Sequence, residues 1–306
     1  MSQDIAIKVE DLQKSYGKTK AVDRLSFTVR TGEIFGLVGP NGAGKTTTLE
    51  CLEGLRRPDS GAVRLLGFDP QKDRRALNTH IGVQLQESSL AHQIRVWEAM
   101  DLFASFYTRH QSPSGLLEQL GLSGQRDTAF ARLSGGQKQR LFIALALIHD
   151  PELLFLDELT TGLDPQGRRL IWELILEIND HGKTIMLSTH FMEEAERLCD
   201  RVLIIDHGQT VALDSPENMI RELTSDHKVI FSVKGRFDAT SFRSLTAVTA
   251  VDVFKDRVTV SGRSEHLVAD VVKVLVKEKI HYFDLHTQQP NLEDVFLKLT
   301  GREIRD

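Results

Sequence analysis

Apolar residues recur at every second position near the start of the chain, first at Ile5, Ile7 and Val9 and then at Leu25, Phe27 and Val29. That period of two predicts half-buried strands. The next run, Ile34-Phe35-Gly36-Leu37-Val38, is apolar throughout, as in a strand covered on both faces. A glycine-rich loop and a helix from about Lys45 follow it. Residues 92–125 read as helical and amphipathic, with Val96, Met100 and Phe103 on one face. From Leu133 the order is loop, apolar helix (138–149), strand (153–156), loop, helix (167–181), strand (184–188), helix (191–199) and strand (202–205). Strand and helix in alternation imply an α/β domain with a mostly parallel sheet.

The texture changes after about Leu223. Residues 228–234 read as a strand, 238–247 as a helix, and 251–254 with 257–261 as a hairpin around Lys255-Asp256. A helix over 265–279 carries Val268, Val271, Val272 and Leu275 in 3.6-residue rhythm, and a strand follows at 280–286. The order β-α-β-β-α-β is the split βαβ pattern. A last helix opens at Asn291, whose side chain can cap it, with Asp294 as capping-box partner. Two domains are therefore expected, 1–222 and 226–306, which suits a length of 306 residues.

Composition narrows the class. With 41% hydrophobic and 26% charged residues the chain has enough apolar side chains for a core. Its longest apolar run, from Leu141 to Ile148, is far short of the roughly 20 residues a membrane span needs. The first residues lack the basic-then-apolar build of a secretory signal, so the cytoplasm is the expected location. Cys51 and Cys199 stand far apart, without disulfide or metal-ligand spacing. A net charge of −5 argues against a nucleic-acid partner.

Three motifs carry chemistry. Gly39-Pro40-Asn41-Gly42-Ala43-Gly44-Lys45-Thr46 fits G-x-x-x-x-G-K-[ST] between a buried strand and a helix. Its backbone N–H groups can close on phosphate oxygens at a helix start. Lys45 would reach the β- and γ-phosphates, and the Thr46 hydroxyl would ligate magnesium. The apolar strand 153–156 ends in Asp157 and Glu158. At the carboxyl edge of a parallel sheet, Asp157 fits the magnesium carboxylate of a phosphate-loop ATPase, and Glu158 is placed to polarise the attacking water. Leu133-Ser134-Gly135-Gly136-Gln137 makes a second anion-binding helix start. Two such starts on one γ-phosphate suit two chains better than one.

Taken together these motifs resemble the ATP-binding cassette (ABC) ATPases over roughly residues 4–222. Leu133–Gln137 matches the family signature, L-S-G-G-Q. Gln86 matches the Q-loop glutamine, chosen over Gln84 because Glu87 follows it. Thr161-Gly162-Leu163-Asp164 matches the D-loop, His190 the switch histidine, and Tyr16 the aromatic that stacks on adenine. The resemblance implies a P-loop NTPase cassette with an antiparallel β subdomain and a helical subdomain, followed here by the small α+β domain. It implies ATP and magnesium as cofactors, with Thr46, Gln86 and Asp157 on the metal. ATP would lie between residues 39–47, Thr47 included, of one subunit and Ser134, Gly135, Gly136, Gln137 and Asp164 of the other. Glu158, His190, Gln86 and Lys45 would then act in catalysis. Leu159 departs from the family, which most often has proline there to stiffen the turn.

Without a membrane span of its own, such an ATPase is expected to form a homodimer that energises a separate integral-membrane permease. Residues 87–110 would receive the permease's coupling helix, with Trp97, Phe103, Phe106 and Tyr107 as its socket. A soluble ABC ATPase acting on ribosomes or DNA is the alternative. One cassette per chain, and no long coiled coil between Lys45 and Ser134, weigh against it. The ending from Pro290 to Gly301 is similar to that of drug-resistance-type exporter ATPases, the daunorubicin-resistance branch among them. Export of a drug, lipid or other hydrophobic compound is expected rather than import.

Overall fold

The computed structural model describes residues 4–85, 88–223, 227–233, 238–264 and 266–301. They fall into two compact units with the break between Pro216 and Glu217.

The first unit opens with β1 (Ile5–Tyr16), β2 (Thr19–Arg30), β3 (Ile34–Val38), α1 (Lys45–Leu52) and β4 (Ser60–Leu65). Next come α2 (Arg74–Leu77), β5 (Ile81–Gln84), α3 (Val96–Ala104), α4 (Pro113–Gln119) and α5 (Gly135–Leu147). The unit continues through β6 (Leu153–Asp157), α6 (Pro165–Asp180), β7 (Thr184–Thr189), α7 (Met192–Leu198), β8 (Arg201–Asp206) and β9 (Gln209–Asp214). α8 (Pro216–Leu223) stands at the break.

β1 lies between β2 and β4 in an antiparallel sheet, the expected β subdomain. The second sheet runs β5-β6-β7-β3-β8-β9 and is parallel except at β8–β9. β3, β6 and β7 are buried at every position, which explains the apolar runs 34–38, 153–156 and 185–187 within them. Side chains from both sheets share one core, in which Phe27 of β2 stacks on Phe35 of β3 with centroids 5.4 Å apart.

The helical stretch expected over 92–125 is broken. Val96 and Met100 are buried on α3, but the helix stops at Ser105 and Phe106 is 68% exposed. α4 begins only where Ser112 caps it, accepting from the Gly115 N–H at 3.3 Å. Pro113, which lacks an N–H and clashes with a preceding turn, can start a helix but not continue one.

In the second unit the order is β10 (His227–Val233), α9 (Thr240–Arg243), β11 (Val248–Phe254), β12 (Arg257–Gly262), α10 (Leu267–Lys277), β13 (Tyr282–Gln288) and α11 (Leu292–Thr300). The sheet is antiparallel with order β11-β12-β10-β13, the arrangement of the split βαβ pattern. α9 is shorter than the helix expected over 238–247, because β11 already pairs with β12 at Val248. Asn291 caps α11 and Asp294 completes the box, as expected.

Candidate active site

Strand order builds the site. β7 lies between β6 and β3, and its end is level with theirs: Thr189 pairs with Val38 and Ser188 with Asp157. The three chain segments leaving these neighbouring strands carry the phosphate loop, Glu158 and His190. Residues far apart in sequence thus meet at one carboxyl edge, where parallel sheets place their ligands.

The loop needs its glycines. Gly44 caps α1 at φ 106, and a Cβ there would run into the Ala21 carbonyl. A Cβ on Gly39 would strike the Ile205 carbonyl. Asn41 and Gly42 are exposed at the tip, Ala43 is buried beneath it, and Thr46 and Thr47 lie on the first turn of α1. Lys45 is buried and donates to the carbonyls of Gly39 at 2.9 Å and Pro40 at 3.2 Å.

Its ammonium also stands 3.2 Å from the Glu158 carboxylate, with His190 Nδ1 3.5 Å from the same group. The His190 imidazole, and then the Lys45 ammonium, hold the Glu158 carboxyl down to about 2 against the opposing effect of burial. Glu158 adopts φ 47, in the left-handed region, which costs about 1–2 kcal/mol for a residue with a Cβ. Its N–H donates to the Ser188 carbonyl and hydroxyl, each at 3.2 Å.

Asp157 accepts from the Ser188 and Thr46 hydroxyls. Burial raises its carboxyl pKa, and the neighbouring Glu158 charge adds to the rise. Ser188 was not among the residues singled out from the sequence, although it stands two places before His190.

A divalent cation fits this corner. Thr46 and Asp157 offer adjacent oxygen ligands, and no cluster of three or more His, Cys, Asp or Glu among the described residues could hold a metal alone. Magnesium takes such partial sets, completing its shell with water and substrate phosphates. Gln86 and Glu87 lie outside the described residues. The competing Gln84 is buried, and its amide donates to the Leu85 carbonyl at 2.7 Å.

Tyr16 ends β1 and is 42% exposed, with the Arg56 guanidinium 5.4 Å from its ring centroid. Glu50 grips Arg56 through two hydrogen bonds, at 2.5 and 3.0 Å. Sequence reading passed over Arg56, because only the fold brings it to Tyr16.

The signature forms a second, separate surface. Ser134 caps α5, accepting from the Gln137 N–H at 3.3 Å, and the Gln137 side chain accepts from the Ser134 N–H at 2.9 Å. Ser134, Gly135 and Gly136 share a cleft of about 420 Å³ with Gly162 and Asp164, the last of which caps α6. Among the described residues no hydrogen bond or ion pair joins 134–137 to 39–47.

The parallel sheet, the phosphate loop and the acidic strand end define a P-loop ATPase. The ABC transporter family model matches residues 22–161. The Nod factor export ATP-binding protein I of Ralstonia nicotianae is 41% identical over 98% of this chain and 95% of its own length. The protein of the same name from Sinorhizobium fredii is 40% identical over 99% of this chain and 88% of its own. Among solved structures, cbiO1 from Clostridium perfringens, described as part of the ABC transporter complex cbiONQ, is 28% identical with a TM-score of 0.65 over 72% of this chain and 92% of that one. The ATP-binding cassette MJ0796, a dimer in a post-hydrolysis state with ADP and Pi, is 25% identical with a TM-score of 0.62 over 68% of this chain and 98% of that one. The chain belongs to the ABC transporter ATP-binding family and is an ATPase.

Proposed function

We propose that this ATPase drives a membrane exporter whose permease is a separate polypeptide. The observation that carries the reading is similarity to export ATP-binding proteins over nearly the whole chain, carboxyl-terminal unit included. No helix among the described residues is long and apolar enough to cross a membrane, which suits a motor attached to the cytoplasmic face through its partner. Purifying the tagged chain from membranes of its own host, and identifying what remains bound in detergent, tests this. A stoichiometric multi-span membrane protein is expected; ribosomal proteins or nucleic acid in its place would overturn the reading.

Two copies would build each ATP site, 39–47 from one facing Ser134–Gln137 and Asp164 from the other, with Tyr16 on the adenine. Separate phosphate-loop and signature surfaces support this arrangement. Magnesium on Thr46, Asp157 and Gln86 would neutralise charge on the β- and γ-phosphates. Lys45 would leave the loop carbonyls for those phosphates. Glu158 then loses one of the two groups holding its pKa near 2, and its basicity rises toward what a water-activating base needs. His190 would bridge Glu158 and the γ-phosphate, and the helix start at Ser134 would place further N–H groups on it.

For the permease, we favour a groove of about 270 Å³ lined by Phe103, Tyr107, Glu53, Arg74 and His149. Phe103 and Tyr107 belong to the expected socket; Trp97 is instead partly covered, with Arg126 over its ring. Neither Glu53 carboxyl oxygen has a hydrogen-bond partner among the described residues, and neither does His149 Nδ1. Burial, with Asp157 and Glu50 nearby, pushes the Glu53 carboxyl up to about 8. A raised acid destabilises the fold progressively as pH climbs from its unfolded value to its folded one, here on the order of 3 kcal/mol by pH 7. Glu53→Met should therefore raise the unfolding temperature more at pH 8 than at pH 5. An equal shift at both would contradict the orphaned carboxyl. The same variant should bind the permease less well.

Residues 226–306 we assign as an accessory domain that holds two cassettes together between turnovers, and 1–222 as the ATP-binding domain. Residues 1–222 alone should bind ATP but lose activity on dilution, because the full chain keeps its partner at high effective concentration. ATPase rates across a dilution series check this; identical concentration dependence for both would remove the clamp role.

A further inference from the structure

Glu194 lies on α7, four residues beyond His190, and no step of the chemistry above uses it. Its side chain is buried, with 2% of the residue exposed. Oε1 accepts from the Thr160 hydroxyl at 2.8 Å and from the Trp172 indole N–H at 2.9 Å, and Thr189 is hydrogen-bonded to the same carboxyl. A carboxylate is an expensive group to bury, and it persists only where donors satisfy it. Once satisfied, it fixes those donors relative to one another.

The donors come from three different elements. Thr160 is the second residue after Glu158. Thr189 ends β7 and directly precedes His190. Trp172 is on α6, the helix capped by Asp164. Glu158 itself is held by Ser188, but the backbone bonds of the turn after it stay within the turn: Thr161 donates to the Glu158 carbonyl and Leu163 to the Thr160 carbonyl, both at 3.2 Å. Leu159, where a proline would have fixed φ, adds an apolar contact but no backbone constraint. The Thr189 hydroxyl in turn accepts from the Phe191 N–H at 2.9 Å, so both sides of His190 connect to it.

We propose that Glu194 is a positioning residue for hydrolysis, tying the turn after Glu158 to the loop that carries His190, so that carboxylate and imidazole keep their 3.5 Å spacing. Through Trp172 it also sets both against the helix whose start carries Asp164. The inference rests on the reading that Glu158 and His190 act together on bound ATP. Glu194 acts through the segments it joins, its hydrogen bonds going to Thr160, Thr189 and Trp172.

The test is steady-state ATPase kinetics on the full chain, with ATP affinity by calorimetry and thermal unfolding on the same preparations. Glu194→Ala should lower kcat by about tenfold or more, since a misplacement of about 1 Å can cost a hundredfold. ATP affinity should stay within about twofold, because no contact of the phosphate loop is lost. Glu194→Gln keeps an acceptor oxygen for Thr160 and Trp172 and should recover most of the wild-type kcat. Thr160→Val removes one donor at nearly constant volume, and should lower kcat severalfold even if Glu194→Ala does not fold. A purely structural role would lower the unfolding temperature while leaving the kcat of the folded fraction unchanged. An unchanged kcat in folded Glu194→Ala and Thr160→Val overturns the proposal, as does an equal loss in the Gln and Ala variants. Wild-type protein that neither binds nor hydrolyses ATP would instead overturn the reading of the site itself.

Discussion

Glu158→Gln is expected to bind ATP as tightly as the wild type and to hydrolyse it about 10²–10⁴ times more slowly, the usual contribution of a positioned general base. Glutamine keeps the size and an acceptor oxygen for Lys45 and His190 but cannot take a proton from water. It also removes the charge that draws the Lys45 ammonium to 3.2 Å in the resting site, so binding should suffer no loss. With hydrolysis blocked, the proposed nucleotide-bridged dimer would have no route to opening and should accumulate in ATP and magnesium. Sedimentation in the presence and absence of ATP reads the dimer, and phosphate release reads the turnover. Turnover near the wild-type rate would remove Glu158 from the chemistry.

Lys45→Ala acts at the earlier step. The side chain is 4% exposed and supplies a charge in a site otherwise bordered by two carboxylates and loop carbonyls. Truncating one partner of a buried charge pair costs about 2–5 kcal/mol, so ATP affinity should fall by roughly 30- to several-thousandfold. Glu158 would lose its cation at the same time, and its pKa would rise from about 2. Calorimetry with ATP measures the loss, and an unchanged affinity would contradict the phosphate-loop geometry. Ser134→Arg should differ in kind: it leaves Lys45 and its loop untouched, so ATP should still bind, but it fills the signature surface and stops turnover.

Much of this site could be read from local sequence, because each of its parts is continuous. The phosphate loop follows an unbroken apolar strand, Asp157 and Glu158 end another, and Ser134 to Gln137 opens a helix. The order of β6, β7 and β3 could not be read that way. Parallel neighbours are joined by long crossovers, so no spacing rule puts Glu158 beside His190. Glu53 looks from the sequence like one more exposed acid after a short helix. It lines one groove with residues of β5, α3 and α5, a neighbourhood that no local pattern reports. The convergence of Thr160, Thr189 and Trp172 on Glu194 escapes for the same reason. The break at residues 105–112 had a local signal in Ser112-Pro113, but the apolar periodicity running through it concealed the stop.

The central claim is that each ATP is held by the phosphate loop of one subunit and the signature of another. Mixing Lys45→Ala with Ser134→Arg protein tests it most directly. Each variant alone should be inactive. In a mixed dimer, the sound loop of the Ser134→Arg chain meets the sound signature of the Lys45→Ala chain, giving one intact site. At equal amounts, with half the dimers mixed and one good site in each, ATPase activity should return to about a quarter of wild type. If mixing at any ratio restores nothing while both proteins remain folded and exchange subunits, ATP is not shared between subunits and the account fails.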